Sequence, residues 1–160
     1  MESSLPASKC TLVPSEFFDS ASARETLSEL VDINENEEVA FVEIPWYNAV
    51  LIYSISGESK SLPEMFFILK GLQDCREYNK ILCTYDGSYL YMAIAQGSNL
   101  LLSNVFEAVD FTTAEYFIFL AMKNLQLNPE VSTICWRKPI SEDEEMSLYR
   151  YFKAVEQPAE

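Results

Sequence analysis

At 160 residues, with 49% apolar and 13% aromatic content, the chain has the size of one compact domain and ample material for a core, which excludes disorder as its default state. Its formal charge of −14 repels phosphate backbones and anionic lipid, so nucleic acid and membrane surfaces are excluded as partners. Histidine is absent, which removes the commonest general base, the Ser-His and Cys-His nucleophile pairs and the usual zinc sites.

Residues 9–13 form the first expected strand, ended by Pro14. A helix is expected over 22–31, opened by a Ser22/Glu25 capping box, with Ala23, Leu27, Leu30 and Val31 on its buried face. The acidic stretch 35–38 reads as a solvated connection. Residues 39–44 and 49–55 are two apolar runs joined by 45–48, the pattern of a hairpin. After a loop at 57–60, Ser61 and Glu64 are spaced as a second capping box. They open a helix with Pro63 in its first turn and Met65, Ile68, Leu69, Leu72 and Cys75 along one face, fraying by Tyr78.

From Asn79 onward the pattern is a three-stranded meander over 80–85, 89–96 and 100–107. Its turns, Asp86-Gly87-Ser88 and Gly97-Ser98-Asn99, carry the glycines that tight hairpins need for positive φ. Thr112 and Glu115 make a third capping box for a helix over 113–127, and a strand follows at 131–136. Ser141 and Glu144 cap a last helix with Leu148, Tyr149, Phe152 and Val155 on its inner face. Its acidic first turn suits the helix dipole and reads as structural.

The last eighty residues therefore read β-β-β-α-β-α, an α/β pattern. The longest dense apolar run, 116–122, is far short of the roughly 20 residues needed to span a bilayer, and the N-terminus lacks a signal pattern. The expected location is the cytoplasm. Cys10, Cys75, Cys83 and Cys135 lie far apart in or beside apolar runs and are expected to be free core thiols.

Cys10-Thr11-Leu12-Val13-Pro14 with Phe17-Phe18, the LLLSNVF segment at 100–106, the stretch 110–120 and Tyr149-Arg150-Tyr151-Phe152 resemble a bacterial family of unknown function. That family has a degenerate actin-like ATPase fold of the ribonuclease-H-like class, and the resemblance covers most of 10–155. It implies two such halves in tandem, with residues 1–77 a partial first half lacking its opening strands and 78–160 the second, the two packed as one unit. The resemblance brings no established activity. Residues 116–122 are apolar all round, so the helix carrying Tyr116, Phe117 and Phe119 is either covered on two sides within the chain or faces a missing N-terminal half or an unknown protein partner.

Active actin-like ATPases hold phosphate and magnesium at the first hairpin turn of each half. Asp86, Gly87 and Ser88 fall on that turn, but the acid stands one position late, with Tyr85 in its place. The turn reads either as a plain hairpin or as a nucleotide-contacting remnant. The stretch 135–140, where the adenosine side needs glycine, is bulky, and no two glycines of the chain lie close enough to cradle phosphate. A ribonuclease-like metal site would require converging carboxylates; Asp86 and Glu115 are candidates, yet the strand at 131–136 ends in Arg137 and Lys138. Trp46 and Tyr47 on a hairpin tip and Trp136 beside two cations are residue types favoured at interfaces, or they complete the core. The sequence thus points to a non-catalytic interaction or scaffold protein without a cofactor, the alternative being a nucleotide-binding remnant that uses the Asp86 turn.

Overall fold

The computed structural model describes residues 8–55 and 62–158. Two sheets carry the fold. The first has three antiparallel strands, β1 (Cys10–Pro14), β2 (Glu38–Ile44) and β3 (Ala49–Ile55), in the order β1-β3-β2. The central strand β3 is buried from Ala49 to Ser54, which is why it reads as an unbroken apolar run, whereas the edge strand β2 mixes buried and exposed positions. The expected hairpin between them turns through a 3-10 segment at Pro45–Tyr47, closed by Asn48 in the left-handed region at φ 50°.

Helix α1 (Ala23–Ser28) lays Ala23 and Leu27 on Ile52 of β3. It is shorter than expected. Ser22 makes no capping bond; Asp19 instead accepts from the Ala21 N–H to start a preceding 3-10 turn. The chain leaves the helix after Ser28, so Leu30 is exposed rather than buried. Nor is the acidic stretch merely solvated. Glu37 accepts from the Lys9 ammonium at 2.8 Å, the Asn34 N–H and the Ser54 hydroxyl. Arg24 donates to the carbonyls of Asn34 and Glu37.

Helix α2 (Glu64–Leu72) lies between the sheets. Met65, Ile68, Leu69 and Leu72 are fully buried in a cluster shared with Leu51 and Tyr53 of β3 and with Leu82, Tyr91 and Ala93 of the second sheet. Gly71 allows the close approach: a Cβ there would stand 3.0 Å from Leu82 Cδ2. Pro63 occupies the N-cap position rather than the first turn. Ser61 and the loop 57–60 lie outside the described residues, and Glu64 is committed to a different task, described below.

The second sheet is the expected meander, β4 (Asn79–Tyr85), β5 (Tyr89–Gln96) and β6 (Asn99–Glu107), extended by β7 (Thr133–Trp136) and β8 (Ala154–Glu156) in the order β6-β5-β4-β7-β8. Its second turn is the two-residue Gly97-Ser98, since Gln96 already pairs with Asn99. Helix α3 (Phe111–Asn124) crosses over to β7, which runs parallel to β4 with Leu82 opposite Cys135. Asp110, not Thr112, caps α3 by accepting from the N–H and hydroxyl of Thr113. Helix α4 (Glu142–Tyr149) has the full Ser141/Glu144 capping box. It ends early, however: Tyr149 is half exposed, and Val155 belongs to β8, a strand that the continuing apolar spacing had suggested was helix. Helices α3 and α4, with Phe152 just beyond α4, cover one face of this sheet, placing Ile118, Met122, Leu148 and Phe152 against Ile81, Cys83, Met92 and Ile134.

Candidate functional site

In an open α/β sheet the natural place for a ligand is the crevice at the carboxyl ends of the parallel strands. Here the parallel strands are β4, β7 and β8, and a side chain from α2 fills the crevice at the ends of β4 and β7. Glu64, the first residue of that helix, is 2% exposed and accepts from the hydroxyl of Thr84 near the end of β4 at 3.0 Å. The Arg137 guanidinium meets the same carboxylate side-on: Nη2 donates to Oε1 at 2.7 Å, and Nε donates to Oε2. Lys138 Nζ lies 3.2 Å from Oε1. The Arg137 N–H bonds the Cys83 carbonyl at 2.9 Å, and its guanidinium stacks 5.0 Å from the Phe67 ring centroid.

The two cations that follow β7, which stand where an acid would serve metal chemistry, are thus the counterions of a buried carboxylate. Sequence reasoning missed Glu64. The available signal was a pair of cations directly after a buried strand, which demands an anion nearby; spacing alone does not say which of 25 acids supplies it.

The turn after β4 is self-contained. Asp86 Oδ1 accepts from the Ser88 N–H at 2.9 Å and the Tyr89 N–H at 2.7 Å, and Gly87 takes φ 95°. Both N–H groups are therefore satisfied within the turn itself. Glu115, buried on α3, accepts from the Ser147 hydroxyl of α4; desolvation pushes its carboxyl above the ordinary range. Among the described residues no three Asp, Glu or Cys side chains form a group that could hold a metal ion.

The aromatic candidates separate. Trp136 is 3% exposed and packs on Phe111 within the core, so its reading as an interface residue is corrected: β7 is covered on both faces. Trp46 is half-buried against Phe66, and Tyr47 buries a hydroxyl that has no hydrogen-bond partner among the described residues. Both line a cleft of ≈ 500 Å³ with Leu12, Asn48 and Asn99. On α3, Phe117 stacks on Phe106 and Phe119 on Phe152, both half-buried, while Tyr116 is 60% exposed. The all-round apolar helix is therefore covered only in part. Leu120 and Phe117 line a groove of ≈ 230 Å³ beside Phe106 on β6, the edge strand of the second sheet among the described residues.

No protein-family model and no curated protein matches the sequence. Among solved structures, the chain is similar to a Bacteroides thetaiotaomicron protein with an actin-like ATPase fold and unknown function. The TM-score is 0.78 at 19% identity, over 96% of this chain. This chain spans 66% of the length of that protein. A likeness at that identity establishes the fold alone: the chain has the actin-like ATPase fold. No helix among the described residues is long and apolar enough to cross a membrane.

Proposed function

We propose that this chain is a non-catalytic protein-interaction module in which the nucleotide crevice of an actin-like fold has been closed by an internal salt bridge. The observation that carries the reading is the Glu64 carboxylate, neutralised by Arg137 and Lys138 between the ends of β4 and β7. A nucleotide entering there would have to separate a buried ion pair, which costs several kcal/mol before any contact is gained. The self-satisfied Asp86 turn supports the same conclusion.

The surface that suits a partner is the exposed flank of α3 at Tyr116 and Leu120, together with the edge of β6. A strand edge unpaired among the described residues, beside an apolar groove, favours an extended segment that adds to the sheet. The charge of −14 selects a basic partner, both by steering and by lowering self-repulsion in the complex.

Two measurements test the proposal. Millimolar ATP with magnesium is expected to leave the thermal midpoint unchanged, whereas a ligand at 100 times its dissociation constant would add about 2.7 kcal/mol. Purification under mild, low-salt conditions is expected to retain a basic partner in fixed stoichiometry, released by salt and by Tyr116→Asp. Recovery of the chain alone as a monomer, or an ATP-dependent shift, overturns the proposal.

A further inference from the structure

The chain carries four cysteines, and two of them meet. Cys75 follows the last turn of α2 and Cys135 lies in β7; both belong to the same apolar cluster and both line one groove of ≈ 180 Å³ with Gly71, Glu156 and Gln157. Their thiols are close enough to hydrogen-bond one another. Neither Cys10 nor Cys83 lines that groove: Cys83 is fully buried against α3 and α4, and Cys10 borders the same apolar cluster from β1, beside β3.

We propose that Cys75 and Cys135 are a redox-modification site, closing a reversible disulfide that ties the end of α2 to the second sheet when a low-molecular-weight disulfide enters the groove. Cys75 is the attacking thiol. It is half-buried, and the Lys80 ammonium is fixed beside it by a bond to the Cys75 carbonyl. The hydrogen bond from Cys135, and next the Lys80 charge, hold its thiol below the ordinary range against the opposing effect of burial. Cys10, pushed up to about 12 by burial, and Cys83, pushed higher still, remain inert thiols.

In the first step the Cys75 thiolate attacks one sulfur of the oxidant, the oxidant's S–S bond breaks and a thiolate leaves. In the second, Cys135, whose thiol the Cys75 contact and burial hold above the ordinary range, attacks the mixed disulfide at Cys75 as its proton passes to the departing sulfur, which leaves as the second thiol. Two protein thiols lose two electrons and two protons, and the small disulfide is reduced to two thiols.

The test is incubation of the full chain with oxidised glutathione, acid quenching, denaturation and counting of maleimide adducts by intact mass. The expected result is two adducts in place of four, with a peptide map joining Cys75 to Cys135. Cys10→Ser is expected to leave one adduct, and Cys75→Ser or Cys135→Ser to prevent closure. Four adducts in the oxidised wild type, a stable glutathione adduct at Cys75 that never resolves, or a bond that includes Cys10 or Cys83 overturns the proposal. The wild-type map decides even where a serine variant folds poorly.

Discussion

Glu64 and Arg137, 73 positions apart in the chain, meet through two parallel N–H to carboxylate bonds, one end on the first turn of α2 and the other just past β7. The pair joins the helix that lies between the sheets to the strand that completes the second one. Removing one member strands a buried charge. Glu64→Gln is therefore expected to cost about 3 kcal/mol in urea unfolding, while Glu64→Leu combined with Arg137→Met recovers most of the loss by filling the space with apolar atoms. A single substitution that costs under about 1 kcal/mol would show the pair to be solvated.

Two carboxylates are expected to leave opposite signatures in the acid range. Glu37 is held down to about 2 by its bonds from Lys9, Ser54 and Asn34, so its contribution is complete above pH 4.5 and is lost as the pH falls toward 2. Glu115 is pushed up by desolvation, so the folded state prefers it protonated, and its burial becomes more costly as the pH rises through 4.5 and the raised value. Thermal midpoints across pH check both. Glu37→Gln is expected to lower the midpoint at pH 7 and to converge on wild type in acid. Glu115→Gln is expected to raise it at pH 7, with the gain fading as the pH falls.

Tyr91 is 1% exposed, and its hydroxyl has no hydrogen-bond partner among the described residues. A buried donor left unpaired costs more than it returns. Tyr91→Phe should therefore be neutral or stabilising by about 1 kcal/mol; a loss of that size instead would reveal a partner for the hydroxyl.

The hairpin after β4 is expected to behave as a structural turn. Asp86→Ala removes the acceptor for two N–H groups and should cost about 1 kcal/mol. At Gly87, where φ is 95° and a Cβ would meet open space, alanine should cost about 1 to 2 kcal/mol through backbone strain alone. Neither change should alter the response to ATP, and a loss of nucleotide-dependent stabilisation in Asp86→Ala would restore the remnant reading.

Local chemistry made much of this fold readable. The meander follows from Asp86-Gly87 and Gly97-Ser98 between apolar runs, the Ser141/Glu144 box forms as its spacing requires, and the run from Ala49 to Ile55 announces a strand covered on both faces. Each of these signals acts between residues a few positions apart. The failures have different sources. Asp110 took the cap of α3 from Thr112 through a local bond to the Thr113 N–H, whereas α4 ends before Phe152 because the position beside β7 is filled by the strand that carries Val155.

By itself the sequence determined the alternation of elements and most of their apolar faces, since composition and short-range spacing control those directly. The tertiary structure alone decided which charges are neutralised, which thiols meet and which aromatics remain at the surface. Glu64 finds Arg137, Cys75 finds Cys135 and Tyr116 stays exposed because of how α2 and α3 are set against the second sheet. Such pairings depend on sheet order and helix placement, long-range quantities that no local pattern encodes.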